Sequence, residues 1–398
     1  MSATISTQHG HDTDVVDLAR GDPGRDLLPA ALVREAADRA TAPLDPDLLQ
    51  YGLEPGDAGV REAVSAFLEA EGAGAVAPER LFLTAGASLA LHLICTLFAR
   101  PGERVLVADP SYHLALAQFR DHGLRVEGIA SDADGIVPDA LEAALRRGPA
   151  ALLYLVPAFA NPSATTLPPE RQAAIASLAA RHGVRVVADE VYRLTGFGPA
   201  APEAAAAVPA EPRPPRSLTD VDDAHVLALN SVSKILSPGL RLGWIDGPPA
   251  DLRRIATSGV LRSGGGMNPF PAAVVRAAID GGALAAHVAH VRARLRERHA
   301  ALSAALAREL PQAAFAPATG GYFLWLRVPG LDVDAPETRA ALTRHAVRVA
   351  PGTQFSPAPA GSAGHAREHM RLCFAHAAPE ALREGAARLA AAVADALA

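Results

Sequence analysis

Val184-Arg185-Val186-Val187-Ala188-Asp189-Glu190-Val191-Tyr192 decides the fold, because a short β-branched run closed by an acid reads as a buried strand ending at a polar edge. Runs of the same kind recur at Leu81-Phe82-Leu83, Val105-Leu106-Val107, Ala151-Leu152-Leu153-Tyr154-Leu155 and Val226-Leu227-Ala228-Leu229. Longer amphipathic stretches separate them, from about Val15 to Ala283. Buried strands alternating with helices predict an α/β fold: a three-layer, mainly parallel sheet in a large domain. Several chemistry-bearing residues stand at the ends of these runs, where open parallel sheets bind ligands.

Past Ala283 the pattern changes. A long Arg- and Ala-rich helix is expected from about Leu284 to Leu310, then a strand-like Tyr322-Phe323-Leu324-Trp325-Leu326 and a last helix from about Pro379. A smaller α+β domain with an antiparallel sheet fits this order. With 398 residues the chain exceeds the roughly 250 to 300 that one core supports. The expected division is a disordered tip over 1–14, an arm and part of the small domain over 15–50, the large domain over 51–284 and the small domain over 285–398. Gly198 to Arg216 holds six prolines and reads as a surface loop.

Thirty-seven Lys and Arg against 43 Asp and Glu give a net charge of −6 without blocks of one sign, which argues against nucleic-acid or membrane-surface partners. Cys95 and Cys373 sit in apolar runs and read as free core thiols of a reducing compartment. No signal-peptide pattern or membrane-spanning run is visible, so a cytoplasmic location is expected. The 14 histidines include no His-Glu-x-x-His pair or His/Cys cluster, and no metal site is expected. A Gly-x-Ser-x-Gly elbow is also missing, which disfavours a serine hydrolase.

Asn230-Ser231-Val232-Ser233-Lys234-Ile235-Leu236-Ser237-Pro238-Gly239-Leu240-Arg241 places one lysine among hydroxyls and ahead of an arginine. An amine that can lose its proton forms an imine with a carbonyl, while hydroxyls and a guanidinium suit a phosphate dianion. The stretch resembles the lysine segment of the fold-type I aminotransferases of class I/II, which use pyridoxal 5'-phosphate, and the likeness extends from about Asp17 to the C-terminus. The branch it looks closest to is the aminoadipate/kynurenine type.

This resemblance implies roles for further residues. Lys234 would be the Schiff-base lysine and general acid/base. Asp189 would pair with the pyridine nitrogen, Tyr192 and Asn161 would hydrogen-bond the ring oxygen, and Tyr112 would lie flat on the ring. Ala87 and Ser88 would present amides to the phosphate, joined by Ser231, Ser233 and Arg241. Tyr51 would reach the phosphate of a neighbouring subunit, implying a homodimer with shared sites. Arg371, opening an apolar strand, would take the substrate carboxylate, with Gly21 and Asn161 lining the pocket. The family pattern after Asn161-Pro162 runs through a hydroxyl residue to glycine, whereas this chain has Ser163-Ala164, so a changed turn could reshape the pocket.

The function expected is transfer of an amino group from an α-amino acid to a 2-oxo acid. Two alternatives stand beside it. One uses the same carbanion for elimination, replacement, cyclisation or another bond-forming outcome, since cofactor-binding residues serve all of these. The other is a non-catalytic ligand sensor like the aminotransferase-like halves of certain transcription regulators. It ranks last because only about 16 residues precede the resemblance.

Overall fold

The computed structural model describes residues 14–198, 213–358 and 364–398. The expected tip, apart from Asp14, and most of the proline-rich loop lie outside the described residues. In chain order the strands are β1 (Val16–Asp17), β2 (Leu81–Thr84), β3 (Arg104–Asp109), β4 (Arg125–Asp132), β5 (Gly135–Ile136), β6 (Leu152–Leu155), β7 (Arg185–Asp189), β8 (Val226–Ser231), β9 (Gly243–Asp246), β10 (Phe323–Arg327), β11 (Val347–Arg348), β12 (Ala350–Pro351) and β13 (His369–Cys373). The α-helices are α1 (Ala30–Thr41), α2 (Ala58–Ala70), α3 (Ala87–Phe98), α4 (His113–Asp121), α5 (Pro138–Arg146), α6 (Pro169–His182), α7 (Pro249–Ala256), α8 (Pro269–Asp280), α9 (Ala283–Glu309), α10 (Pro336–Arg344) and α11 (Pro379–Leu397).

The large sheet runs β2-β9-β8-β7-β6-β3-β4-β5. From β8 to β4 every neighbouring pair is parallel, while β9 runs against both β8 and β2. All residues of β6 and β8 are buried, which only helices on both faces of a sheet can achieve. Alternation sorts the side chains: Val107, Tyr154, Val187 and Leu227 enter one hydrophobic layer with α3 and α4. Leu106, Leu153, Val186 and Ala228 enter the opposite layer with α5 and α6. Each of the five expected runs lies in or overlaps a strand. Three strands of this sheet escaped the reading, β4, β9 and the two-residue β5. β4 is only partly buried along most of its length, and β9 is four residues long.

The second sheet, β10-β13-β12, is antiparallel, and β1 pairs with β11 in parallel. The start of the described chain therefore joins the C-terminal region. Its core gathers Leu18 and Leu27 with Phe323, Leu324, Leu372 and Leu389. Helix α9 belongs to both halves: Leu284 and Val288 pack with α2 and α8, whereas Leu295, Leu302 and Leu306 pack under the second sheet.

Candidate active site

β8 delivers Lys234 through a local device. Ser231 ends the strand in extended backbone and accepts the Ser233 N–H at 3.1 Å, which starts the 3-10 turn Val232–Lys234. The Ser231 hydroxyl is buried, 2.8 Å from Ser233 Oγ and 3.0 Å from the carbonyl acceptor Leu242 O. Ser231 thus acts on its own chain, shaping the turn, while Ser233 is only part-buried. The Lys234 Nζ donates to Gly21 O at 2.9 Å and lies 5.5 and 5.3 Å from the ring centroids of Tyr192 and Tyr322. Tyr322 also donates to Lys234 O at 2.7 Å, which fixes the backbone. Burial among rings holds the lysine below its ordinary value, opposed in part by the charges of Asp22 and Asp189. Such an amine is readier to act as nucleophile or base.

Asp189 ends β7 and is buried. Tyr154 Oη donates to its Oδ2 at 2.8 Å, while Oδ1 has no hydrogen-bond partner among the described residues. Burial pushes its carboxyl up, against the Tyr154 hydroxyl, the Val191 N–H and the Lys234 charge. An orphaned buried carboxylate oxygen is costly and suits a cationic N–H from a ligand. Tyr192, 5.5 Å from Tyr322 and 5.7 Å from Phe323 between centroids, belongs to the same aromatic group. Tyr112 caps α4; burial and the Asp189 charge push its hydroxyl up to about 12, with Arg371 pulling the other way.

Arg371 on β13 closes the cluster. Its Nη1 donates to Asn161 Oδ1 at 3.0 Å and its Nη2 to Ala19 O at 2.5 Å, and its guanidinium carbon lies 4.2 Å from the Phe323 ring and 4.9 Å from Phe355. Stacked between aromatics, the fork is held ready for a planar anion. Gly21 passes alongside: a Cβ there would lie 3.3 Å from Phe323 and 3.6 Å from Arg371. Asn161 also lines a cavity of 360 Å³ with Ser111, Ser163 and Trp325, whose wall includes neither Lys234 nor Asp189. The turn after Asn161 answers the question raised by the missing glycine. Ala164 itself takes φ +61°, and its N–H reaches Ala160 O at 2.7 Å. A left-handed alanine costs roughly 1–2 kcal/mol, so the turn is kept under strain.

The opposite end is open. Gly86, at φ +86°, precedes α3 without a side-chain cap, so the first N–H groups of the helix, at Ala87 and Ser88, await an acceptor. A Cβ on Gly86 would collide with Arg241 Nη2, so only glycine lets that guanidinium cross the helix start, where it donates to Ala85 O at 3.1 Å. Ser88 and Arg241 are exposed. Tyr51 stands apart from the cluster, 78% exposed, with its ring against Gly264.

The structure therefore gathers Lys234, Asp189, Tyr192, Tyr112, Asn161, Arg371 and Gly21 at one end, and Ala87, Ser88 and Arg241 at the other. The reading from sequence missed Tyr154, Phe323 and Phe355 as partners of these residues. Tyr154 carried a signal, being the one hydroxyl in an otherwise aliphatic buried strand, where it must find a partner. Among the described residues no group of three or more His, Cys, Asp or Glu could hold a metal ion. The donor set fits a phosphorylated aromatic aldehyde: a depressed amine, a free carboxylate oxygen, flanking rings and an uncapped helix start.

Comparisons with known proteins agree. The model of the family "Aminotransferase class I and II" matches residues 13–389. A 2-aminoadipate transaminase of Thermus thermophilus is 29% identical over 382 residues, 94% of this chain and 89% of the relative. YdfD, an uncharacterised HTH-type transcriptional regulator of Bacillus subtilis, is 26% identical over 381 residues, 95% of this chain and 74% of the regulator. The crystal structure of LysN, the α-aminoadipate aminotransferase of Thermus thermophilus complexed with N-(5'-phosphopyridoxyl)-L-leucine, superposes with a TM-score of 0.84 at 28% identity, covering 96% of this chain and 93% of that one.

Proposed function

The chain belongs to the class I and II aminotransferases, and from that premise we propose how its own residues divide the work of moving an amino group from an α-amino acid to a 2-oxo acid. Pyridoxal 5'-phosphate is the cofactor. When bound, it supplies an aldehyde for amines and an electron-withdrawing ring that acidifies the substrate Cα–H. Asp189 Oδ1 would accept the N–H of the pyridine ring, Tyr112 would pack against the ring, and Tyr192 and Asn161 would donate to its oxygen. The N–H groups of Ala87 and Ser88, with Ser233 and Arg241, would hold the phosphate, Ser231 acting from behind by shaping the turn. Arg371 binds the substrate carboxylate, its fork already oriented by Asn161 and two rings. Lys234 takes the proton from Cα as base and returns it as acid.

One observation carries this reading: Lys234, depressed by burial, lies near enough for the charges of Asp189, with its free oxygen, and of Arg371, with its stacked fork, to act on its amine. Mixing the purified holoenzyme with a panel of amino acids tests it. Stoichiometric 2-oxo acid with the cofactor converted to its amine form is the expected result. Release of ammonia, or a new carbon bond with the aldehyde form retained, would overturn it, and so would the absence of any turnover.

The working unit proposed is a homodimer with shared sites. Leu44, Leu49, Tyr51 and Leu53 are exposed, and their segment lies on the glycine-rich stretch before α8, where a Cβ on Gly264 would meet the Tyr51 ring at 2.6 Å. Large apolar side chains exposed within one short segment suit a protein interface, and Tyr51 among them suits a ligand held by the other copy. Light scattering should give twice 41.1 kDa; a monomer that turns over amino acid at full rate would refute the shared site.

A further inference from the structure

Resting on the roles just assigned, we propose that Tyr154 is a positioning residue for the cofactor's pyridine nitrogen: its hydroxyl holds one oxygen of Asp189 and leaves the other for the ring. The placement follows from sheet geometry. β6 and β7 are parallel neighbours in which Tyr154 lies opposite Val187. Side chains two apart on a strand share a face, so Asp189 is the diagonal neighbour of Tyr154, within reach of a long side chain. The bond that results, 2.8 Å from Tyr154 Oη to Asp189 Oδ2, is buried at both ends. Phe119 meets the Tyr154 ring edge-on at 5.3 Å between centroids and an interplanar angle of 71°, which fixes the ring.

The charge balance makes this bond matter. Asp189 can accept a pyridinium N–H strongly only as an anion, and burial favours its neutral form. The Tyr154 hydroxyl, the Val191 N–H and the Lys234 charge work against that. The lysine charge is not permanent, because the amine works in its unprotonated form. The tyrosine donor is permanent: burial and the adjacent carboxylate hold its own proton far above the physiological range. Tyr154 thus favours the ionised form of Asp189 against the cost of burial, and without touching the cofactor.

Binding of two ligands to the cofactor-free protein separates this role from simple packing. One is pyridoxal 5'-phosphate; the other is its analogue with the ring nitrogen replaced by carbon. Tyr154→Phe should weaken binding of the natural cofactor about tenfold, as loss of a hydrogen bond to a charged group does. The analogue should lose less than about twofold, because it has no nitrogen for Asp189 to hold. Equal loss for both ligands would assign Tyr154 to packing, and no loss for either would remove it from the site; either result overturns the proposal. Should Tyr154→Phe not fold, Phe119→Leu, which frees the ring and keeps the hydroxyl, should show the same contrast at about threefold. A wild-type protein that does not bind pyridoxal 5'-phosphate would instead break the reading on which the inference rests.

Discussion

The ring end and the phosphate end of the site are built on opposite plans. At the ring end Asp189, Tyr192, Asn161 and Arg371 are buried, and Asp189, Asn161 and Arg371 hydrogen-bond within the chain. At the phosphate end Ser88 and Arg241 are exposed, and so is Tyr51, whose ring lies against Gly264. Buried, paired groups pay their ordering cost during folding and meet the substrate already oriented. Exposed groups are ordered only when the ligand arrives, and here a second copy of the chain would complete them. In the proposed dimer the chemistry would be set by one subunit and the hold on the cofactor by two.

Five experiments break or sharpen that contrast. The largest effect is expected at Lys234: replacement by Ala should lower turnover by about 10⁴-fold or more, the upper range for a general acid/base. The same residue gives a pH test. Burial lowers its pKa from 10.5, so the unprotonated amine gains population at lower pH than a surface lysine. Capture of the aldehyde by the cofactor-free protein should therefore rise with pH to a midpoint below 10.5; a midpoint at or above that value would show the ring end to be solvated.

Arg371→Ala comes next, raising KM for the amino acid about 100-fold with a smaller change in kcat, because a buried fork meets the carboxylate in ground and transition states alike. A kcat loss without a KM change would move Arg371 out of substrate binding. Arg241→Ala should weaken cofactor binding only about fivefold, and less at high salt, since exposed charge contacts are worth up to about 1 kcal/mol. A loss as large as that at Arg371 would erase the difference between the ends. The smallest effect belongs to Ala164→Gly, which relieves a left-handed backbone and should stabilise by about 1 kcal/mol, raising Tm by about 2 °C. An unchanged or lower Tm would show that the turn carries no strain.

The same two ends differ in how far the sequence alone revealed them. Fully buried strands such as Val226–Ser231 announce themselves, because both faces demand apolar residues, and their C-terminal ends then point to Asp189 and Lys234. β4 escaped because all but one of its residues are exposed or half-exposed and follow no clean alternation. Arg371 was recognisable from a charge at the start of an apolar strand. Its aromatic clamp was not, since Phe355 lies 16 residues away along the chain and only folding brings it to 4.9 Å. The Tyr154–Asp189 bond is likewise a diagonal across two strands whose register no local pattern encodes.

Helix α9 gives the site its mechanics. At about 1.5 Å per residue its 27 residues make a rod about 40 Å long, anchored at one end beside α8 and at the other beneath the sheet that carries Arg371. Val232 and Ile235 beside Lys234 belong to one core and Met370 and Leu372 beside Arg371 to the other, yet the rod is common to both. The gap between amine and guanidinium is thus gauged by a shared strut, and the bond from Arg371 to Asn161 ties the smaller sheet to the larger at the site itself.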